Sequence, residues 1–141
     1  MVEETERIMR SIQAVDSVKN WQEAVKLASQ PLLEQRMIEQ NYIDNMIKAV
    51  YEHGPYMVLC DGFALMHAKP GEGVNHAGMS LLVVREAVDF EGRFVKIFLI
   101  LATTDYTSHL DSLKDIIEIL MNKEHFETIL TADVDSIKHI F

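Results

Sequence analysis

Residues 61–84 read DGFALMHAKPGEGVNHAGMSLLVV and contain two of the chain's six histidines, His67 and His76. His67 follows a short apolar stretch and precedes a Pro-Gly turn, Pro70-Gly71. Strand-to-loop junctions are where folds present reactive side chains. A second histidine of interest, His109, follows the polar stretch Thr103-Thr104-Asp105-Tyr106-Thr107-Ser108. Ser108 and Asp111 have the spacing of a capping box, which predicts a helix starting at Ser108 with His109 in its first turn. A helix N-terminus disfavours an imidazolium but suits an anion, phosphate above all. Neutral imidazole is a nucleophile near pH 7, and its nitrogen can take and release a phosphoryl group. A second imidazole and a helix N-terminus would steady the added charge. The candidate site is therefore His67 with His109, and the candidate chemistry is phosphoryl transfer.

The remaining histidines read differently. His53 ends a helix, where a cationic side chain suits the dipole. His125 and His139 fall in C-terminal helical pieces and read as surface residues. His76 reads as a solvated loop residue that can also approach His67. The parts that rival chemistries need are missing: there is no GxxxxGK[ST] loop, no HExxH and no CxxC. Cys60 ends an apolar run and reads as a buried, inert thiol. Ser80 lacks the GxSxG turn of a hydrolase. A metal hydrolase built on Asp61, His67, His76 and His109 is the competing enzymatic reading. No cofactor is implied.

With 13 Lys and Arg against 22 Asp and Glu, the formal net charge of −9 argues against nucleic acid, whose phosphates are held by basic clusters. No apolar run approaches the roughly 20 residues of a membrane span. The first residues, MVEETERIMRSIQ, lack the apolar stretch of a secretory signal, and the single cysteine cannot form an internal disulfide. The expectation is a cytosolic protein, one domain over residues 1–141.

The elements that must position the two histidines follow from periodicity. Asn20 can cap a helix, with Glu23 placed to reach back, and Trp21, Ala24, Val25, Ala28 and Leu32 form its apolar stripe. Pro31 predicts a kink or a restart there. A second helix carries Tyr42, Ile43, Met46, Ile47 and Val50, and stops at His53-Gly54-Pro55. The short apolar runs 56–60, 79–84 and 93–102 read as strands buried on both faces, with a tight hairpin turn at 90–93. A helix over 108–122 and two short helical pieces near 124–131 and 133–140 close the chain. The order helix, helix, strand, strand, strand, helix, helix fits an α/β sandwich.

Gly62-Phe63-Ala64-Leu65-Met66-His67-Ala68 resembles the active-site signature of the IIA components of the phosphoenolpyruvate-dependent sugar phosphotransferase system (PTS), mannitol/fructose class. The resemblance continues through Gly73-Val74, 78–81 and 105–110. It also takes in 20–25, Tyr42-Ile43 and Gly54-Pro55-Tyr56. The Trp21 segment and Gly54-Pro55-Tyr56 are most similar to the ascorbate-specific branch. The resemblance implies an α/β fold with a mixed central β-sheet flanked by helices on both faces. It implies a phosphoryl carrier: His67 as the phosphohistidine nucleophile, through Nε2, and His109 as support for the phosphoryl group. It also implies two direct partners. The donor is the histidine phosphocarrier protein HPr. The acceptor is a IIB component, with a cysteine in the ascorbate branch, which serves the IIC membrane transporter in the uptake of ascorbate or a related sugar. A IIA-like regulatory module, signalling by phosphorylation-dependent binding, is the other function the resemblance allows. Two positions depart from the family. Met66 stands where proline is usual, which leaves the loop presenting the imidazole more freedom. Mannitol-type members carry an arginine where Ala49 stands, beside Lys48, and lysine cannot copy its bidentate grip. Phe63, Leu65 and Met66 are candidates for an apolar docking surface, with a core role as the alternative, around a His67 expected in a shallow, partly exposed pocket.

Overall fold

Five strands build one sheet in the computed structural model, which describes residues 8–141: β1 (Met9–Val15), β2 (Val58–Cys60), β3 (Gly62–Met66), β4 (Gly78–Phe90) and β5 (Arg93–Ala102). Their order is β1-β4-β5-β3-β2. The sheet is mixed: β1 runs parallel to β4 and β3 parallel to β5, whereas β4–β5 and β2–β3 are antiparallel. Helices α1 (Trp21–Glu34) and α2 (Gln40–His53) cover one face, and α3 (Leu110–Met121), α4 (Lys123–Thr131) and α5 (Val134–Lys138) the other. This is the α/β arrangement expected from the sequence.

Strand periodicity divides the core in two, since successive side chains of a strand point to opposite faces. Leu82, Val84, Val88 and Phe90 of β4 join Phe98 and Ile100 of β5 beneath α1 and α2. Met79, Leu81 and Val83 join Ile97 and Leu99 beneath the C-terminal helices. A strand covered on both faces has no polar side to show, so β4 and β5 read in sequence as continuous apolar runs. The hairpin between them turns at Glu91 and Gly92, both at positive φ (50° and 96°), as a right-twisted two-residue turn requires.

Three expectations need correction. β1 and β3 were not expected as strands. The run 56–60 was expected to be buried on both faces, but only Val58–Cys60 is strand. It is the sheet edge, with Leu59 exposed. Pro31 does not restart α1, which continues through it to Glu34. Its missing N–H would have bonded the Leu27 carbonyl, and Gln13 Nε2 of β1 donates to that oxygen instead, at 3.1 Å. A partner from another element satisfies the group that proline orphans. The N-terminus of α1 is capped as expected: Asn20 Oδ1 accepts from the Glu23 N–H at 2.8 Å. Glu23 reaches back one residue further than a capping box does, to the Lys19 N–H at 2.9 Å.

Among the described residues no helix is long and apolar enough to cross a membrane. The reading of the first residues as free of a secretory stretch falls largely on 1–7, outside the described residues.

Candidate active site

β3 and β5 are parallel and in register from Phe63↔Ile97 to Met66↔Ile100. They therefore end on the same side of the sheet, and the segments that follow them adjoin. Open α/β sheets form their crevices at such strand ends. His67 is the first residue after β3, and the 103–109 loop follows β5. The Gly71 N–H bonds the Thr103 carbonyl at 2.9 Å, tying the two segments together. Gly71 sits at φ 84°, and a Cβ there would stand 3.2 Å from the Thr104 carbonyl oxygen, so the close approach needs glycine.

His67 is half-buried. Its Nδ1 lies 3.0 Å from the Leu65 carbonyl oxygen. A carbonyl only accepts, so Nδ1 carries the proton, and in the neutral ring Nε2 holds the lone pair. Two hollows meet over the ring, sharing His67, Ala68, Pro70 and Tyr106. The larger, about 350 Å³, is walled by Lys48, Ala49, His53, Tyr56 and Lys69. The smaller, about 220 Å³, is walled by Leu101, Ser108, His109, Leu110 and Leu113. The structure thus brings the two candidate histidines to one hollow. Tyr56 meets His67 edge-on, with ring centroids 6.3 Å apart, and His53 meets Tyr56 in the same way at 6.0 Å.

His109 is not in the first turn of a helix capped by Ser108. It is itself the N-cap of α3, in the left-handed conformation (φ 67°), and its side chain makes no capping bond. Asp105 has captured Ser108 instead. Its carboxylate accepts from the Thr107 N–H (3.0 Å), the Ser108 N–H (2.6 Å) and the Ser108 hydroxyl (2.7 Å). Those bonds, the two to Ser108 foremost, hold the Asp105 carboxyl below the usual aspartate range, and the charge of His109 adds to them. A non-glycine residue in the left-handed region costs roughly 1–2 kcal/mol, and such strain gathers at functional sites.

Residues 9–141 match the family described as "Phosphoenolpyruvate-dependent sugar phosphotransferase system, EIIA 2". The chain belongs to this family. It is 35% identical to the mannitol-specific cryptic phosphotransferase enzyme IIA component of Escherichia coli strain K12 over 124 residues, 86% of this chain and 84% of that protein. The solution structure of the E. coli mannitol-specific cryptic enzyme IIA superposes with a TM-score of 0.85, at 31% identity over 94% of this chain and 93% of the other. An ascorbate-specific PTS EIIA component of Shigella boydii serotype 4 is 29% identical over 85% of this chain and 80% of its own length. The IIA fold also recurs, at TM-score 0.77 and 18% identity, in a complex of E. coli mannitol enzyme IIA with phosphorylated enzyme IIB, covering 92% of each chain.

Within this IIA chain, several side chains lie elsewhere than the sequence suggested. Met66 is the last residue of β3, paired with Ile100 and fully buried beneath α1 and α2, so it leaves no loose loop before His67. Phe63 and Leu65 are buried with the opposite core. None of the three can form a docking surface. The exposed apolar groups beside His67 are Tyr56, Tyr106 and Leu110, at 51%, 72% and 53% exposure. His76 is exposed and its backbone N–H bonds the Met37 carbonyl; it walls neither hollow. Asp61 precedes β3 at the opposite end and lies 3.6 Å from Arg93. The four residues of the metal-hydrolase reading are thus not gathered. His125 and His139 are exposed. Cys60 is half-buried rather than buried, and burial foremost, then Asp61, pushes its thiol up, with Arg93 opposing.

The sequence reading missed His53. It lies four residues after Ala49, which lies four after Asn45, and residues at that spacing share a helix face. All three wall the larger hollow. Ala49 matches the position of the mannitol-type arginine, so the spacing alone places His53 beside it. Tyr56 and Tyr106, aromatic residues in loops, carried no comparable signal.

Proposed function

We propose that His67 accepts a phosphoryl group on Nε2 and passes it on, as a IIA carrier of a sugar phosphotransferase system. The observation that carries the reading is the His67 Nδ1–H bond to the Leu65 carbonyl, which leaves Nε2 as the nucleophilic nitrogen beside the two hollows. In the first step the Nε2 lone pair forms the new N–P bond as the bond between phosphorus and the histidine of phosphorylated HPr breaks. In the second, a cysteine thiolate of a IIB component takes the same group and His67 returns to neutral imidazole. The pairing of IIA with phosphorylated IIB in the E. coli mannitol complex is the likeness that motivates this acceptor. The IIC transporter is served only through IIB. The sugar is ascorbate or a related one, by similarity to the ascorbate-specific relatives. The carrier works in the cytosol as one unit over residues 1–141.

His109 supports the phosphoryl group from the smaller hollow. In the larger, the arginine of mannitol-type members is absent, and Lys48 and Lys69 supply positive charge in its place. Lys48 pairs with Glu52 at 3.8 Å and Lys69 with Glu72 at 3.4 Å, all well exposed. Exposed pairs of this kind are worth about 0–1 kcal/mol, so a phosphoryl dianion competes for both lysines. Tyr56, Tyr106 and Leu110 form the apolar contact for the partners.

The test is intact mass after incubation with phosphoenolpyruvate, Enzyme I and HPr, with His67→Ala alongside. A single acid-labile phosphoryl gain in the wild type alone is the expected result. A gain in His67→Ala, or none in either protein, overturns the reading.

A further inference from the structure

Tyr42 is 1% exposed, on the sheet-facing side of α2, and its hydroxyl is used twice. It donates to the Leu101 carbonyl near the end of β5 and accepts the Ala68 N–H at 3.1 Å. Burial pushes its pKa up to about 12, the Ala68 bond partly offsetting this, so the phenol stays a donor across the range in which proteins work. Phenylalanine would fill nearly the same space, so what distinguishes tyrosine here is the pair of bonds. Their place along the chain is telling. The β3–β5 ladder ends at Met66↔Ile100. His67 is the first residue beyond it, and Ala68, the next, is where Tyr42 takes hold. His67 is therefore held by the ladder on one side and by a phenol on the other.

We propose that Tyr42 is the positioning residue for His67: by holding Ala68 against the end of β5 it keeps the imidazole where Nδ1 meets the Leu65 carbonyl, and so fixes Nε2 as the lone-pair nitrogen. Without that hold the backbone after His67 swings, the ring leaves its carbonyl and the two tautomers interconvert freely. The effect on transfer rests on the carrier reading above; the effect on the tautomer does not.

The experiment compares wild type, Tyr42→Phe and a control, Trp21→Phe. Trp21 lies at the other end of the molecule, where its indole bonds Glu91 in the hairpin turn. Three properties are read: the thermal midpoint, the His67 tautomer from its ¹⁵N shifts, and kcat and KM for phosphoryl uptake from phosphorylated HPr. Wild type is expected wholly as the Nδ1–H tautomer. Tyr42→Phe is expected to show both tautomers in comparable amounts and a kcat lowered about tenfold at unchanged KM, as small misplacements of reacting groups do. Trp21→Phe is expected to lose stability with tautomer and kcat intact. A Tyr42→Phe protein that loses stability but keeps the single Nδ1–H tautomer overturns the proposal. If wild type takes up no phosphoryl group, the carrier reading fails and the tautomer still decides the role of Tyr42. Should Tyr42→Phe not fold, amide exchange in wild type decides: Ala68 must exchange as slowly as β3, and exchange as fast as that of exposed Lys69 overturns the clamp.

Discussion

Cys60 and His67 flank the same strand, and both belong to residue types that act as nucleophiles. Their surroundings differ because β3 has two unlike ends. At its start the chain has just turned from the antiparallel edge strand β2, where Cys60 pairs with Phe63. Burial and the neighbouring Asp61 disfavour the thiolate there. At its finish β3 stops beside its parallel neighbour β5, and two following segments come together around His67. The ring nitrogen not bonded to Leu65 is left with its lone pair. A hollow alone does not distinguish the two, since Cys60 also borders one of about 220 Å³, walled largely by Leu120, Met121 and Phe126. What distinguishes them is the parallel strand end, which gathers polar loops, and a hydrogen bond that sets which imidazole nitrogen carries the proton.

The largest effect expected from that contrast is an all-or-none one. His67→Ala should lower phosphoryl uptake by about 10³-fold or more, as loss of an attacking group does. Cys60→Ala should take up phosphoryl at the wild-type rate. Mass measurement of both variants after the same incubation checks the pair, and equal loss in the two would erase the contrast.

His109 sharpens it. In the proposed carrier its ring and its backbone make separate contributions, and two substitutions divide them. His109→Ala and His109→Gly both remove the imidazole, and each should slow transfer about 10²-fold, the scale for losing one group that stabilises developing charge. They should differ in stability. Glycine accepts φ 67° without penalty and alanine does not, so the glycine variant should unfold about 1 kcal/mol later than the alanine variant in denaturant titrations. Full transfer by the glycine variant would mean that the ring does nothing for the phosphoryl group.

The same contrast explains which parts of the molecule were legible from sequence. β5 and the hairpin were read to the residue because both faces of that strand are buried and its turn carries Glu91-Gly92. The two amphipathic helices before it were legible, with the Asn20 N-cap of the first and the Gly54 C-cap of the second. β1 and β3 were missed for a shared reason: each is made a strand by a distant partner. Met9–Val15 is a mixed, largely half-exposed run that pairs with β4. Gly62–Met66 is five residues long and looked like the approach to a loop. Strand preference depends on such context more than helix preference does. At the candidate site the meeting of His67 and His109 in one hollow was legible. The conformation of His109 was not, because Asp105 outcompetes the nearer cap signal by binding Ser108 through both backbone and side chain.

A smaller effect concerns the larger hollow. Lys48→Met and Lys69→Met should each slow phosphoryl uptake by a few-fold, the scale of about 1 kcal/mol, and the double variant by about their product. Neither should change thermal stability, since both side chains are exposed and their ion pairs are loose. Raising the salt concentration should narrow the gap from wild type, because exposed charges are screened. A salt-independent loss would point to a packing role for the lysine stems instead.

The smallest effect sets the two ends of β3 against each other in pH. Asp105, in the loop that walls the His67 end, has a folded-state pKa below the ordinary 3.8. Its contribution is therefore present above 3.8 and is lost as pH falls through the lower folded value. Cys60, at the other end, has a folded-state pKa above the ordinary 9.0. Its contribution is present below 9.0 and is lost as pH rises through the higher folded value. Acid should thus loosen the His67 end first, and base the Cys60 end. In an NMR titration the Thr107 and Ser108 amide resonances should shift together with a midpoint below 3.8, and Asp105→Asn should abolish that step. Alkylation of Cys60 should run slower than that of an unstructured thiol at pH 9 and converge with it at higher pH. If the Ser108 amide titrates at 3.8 in the folded protein, the three bonds to Asp105 do not hold the loop. His109 would then owe its left-handed conformation to the start of α3 alone.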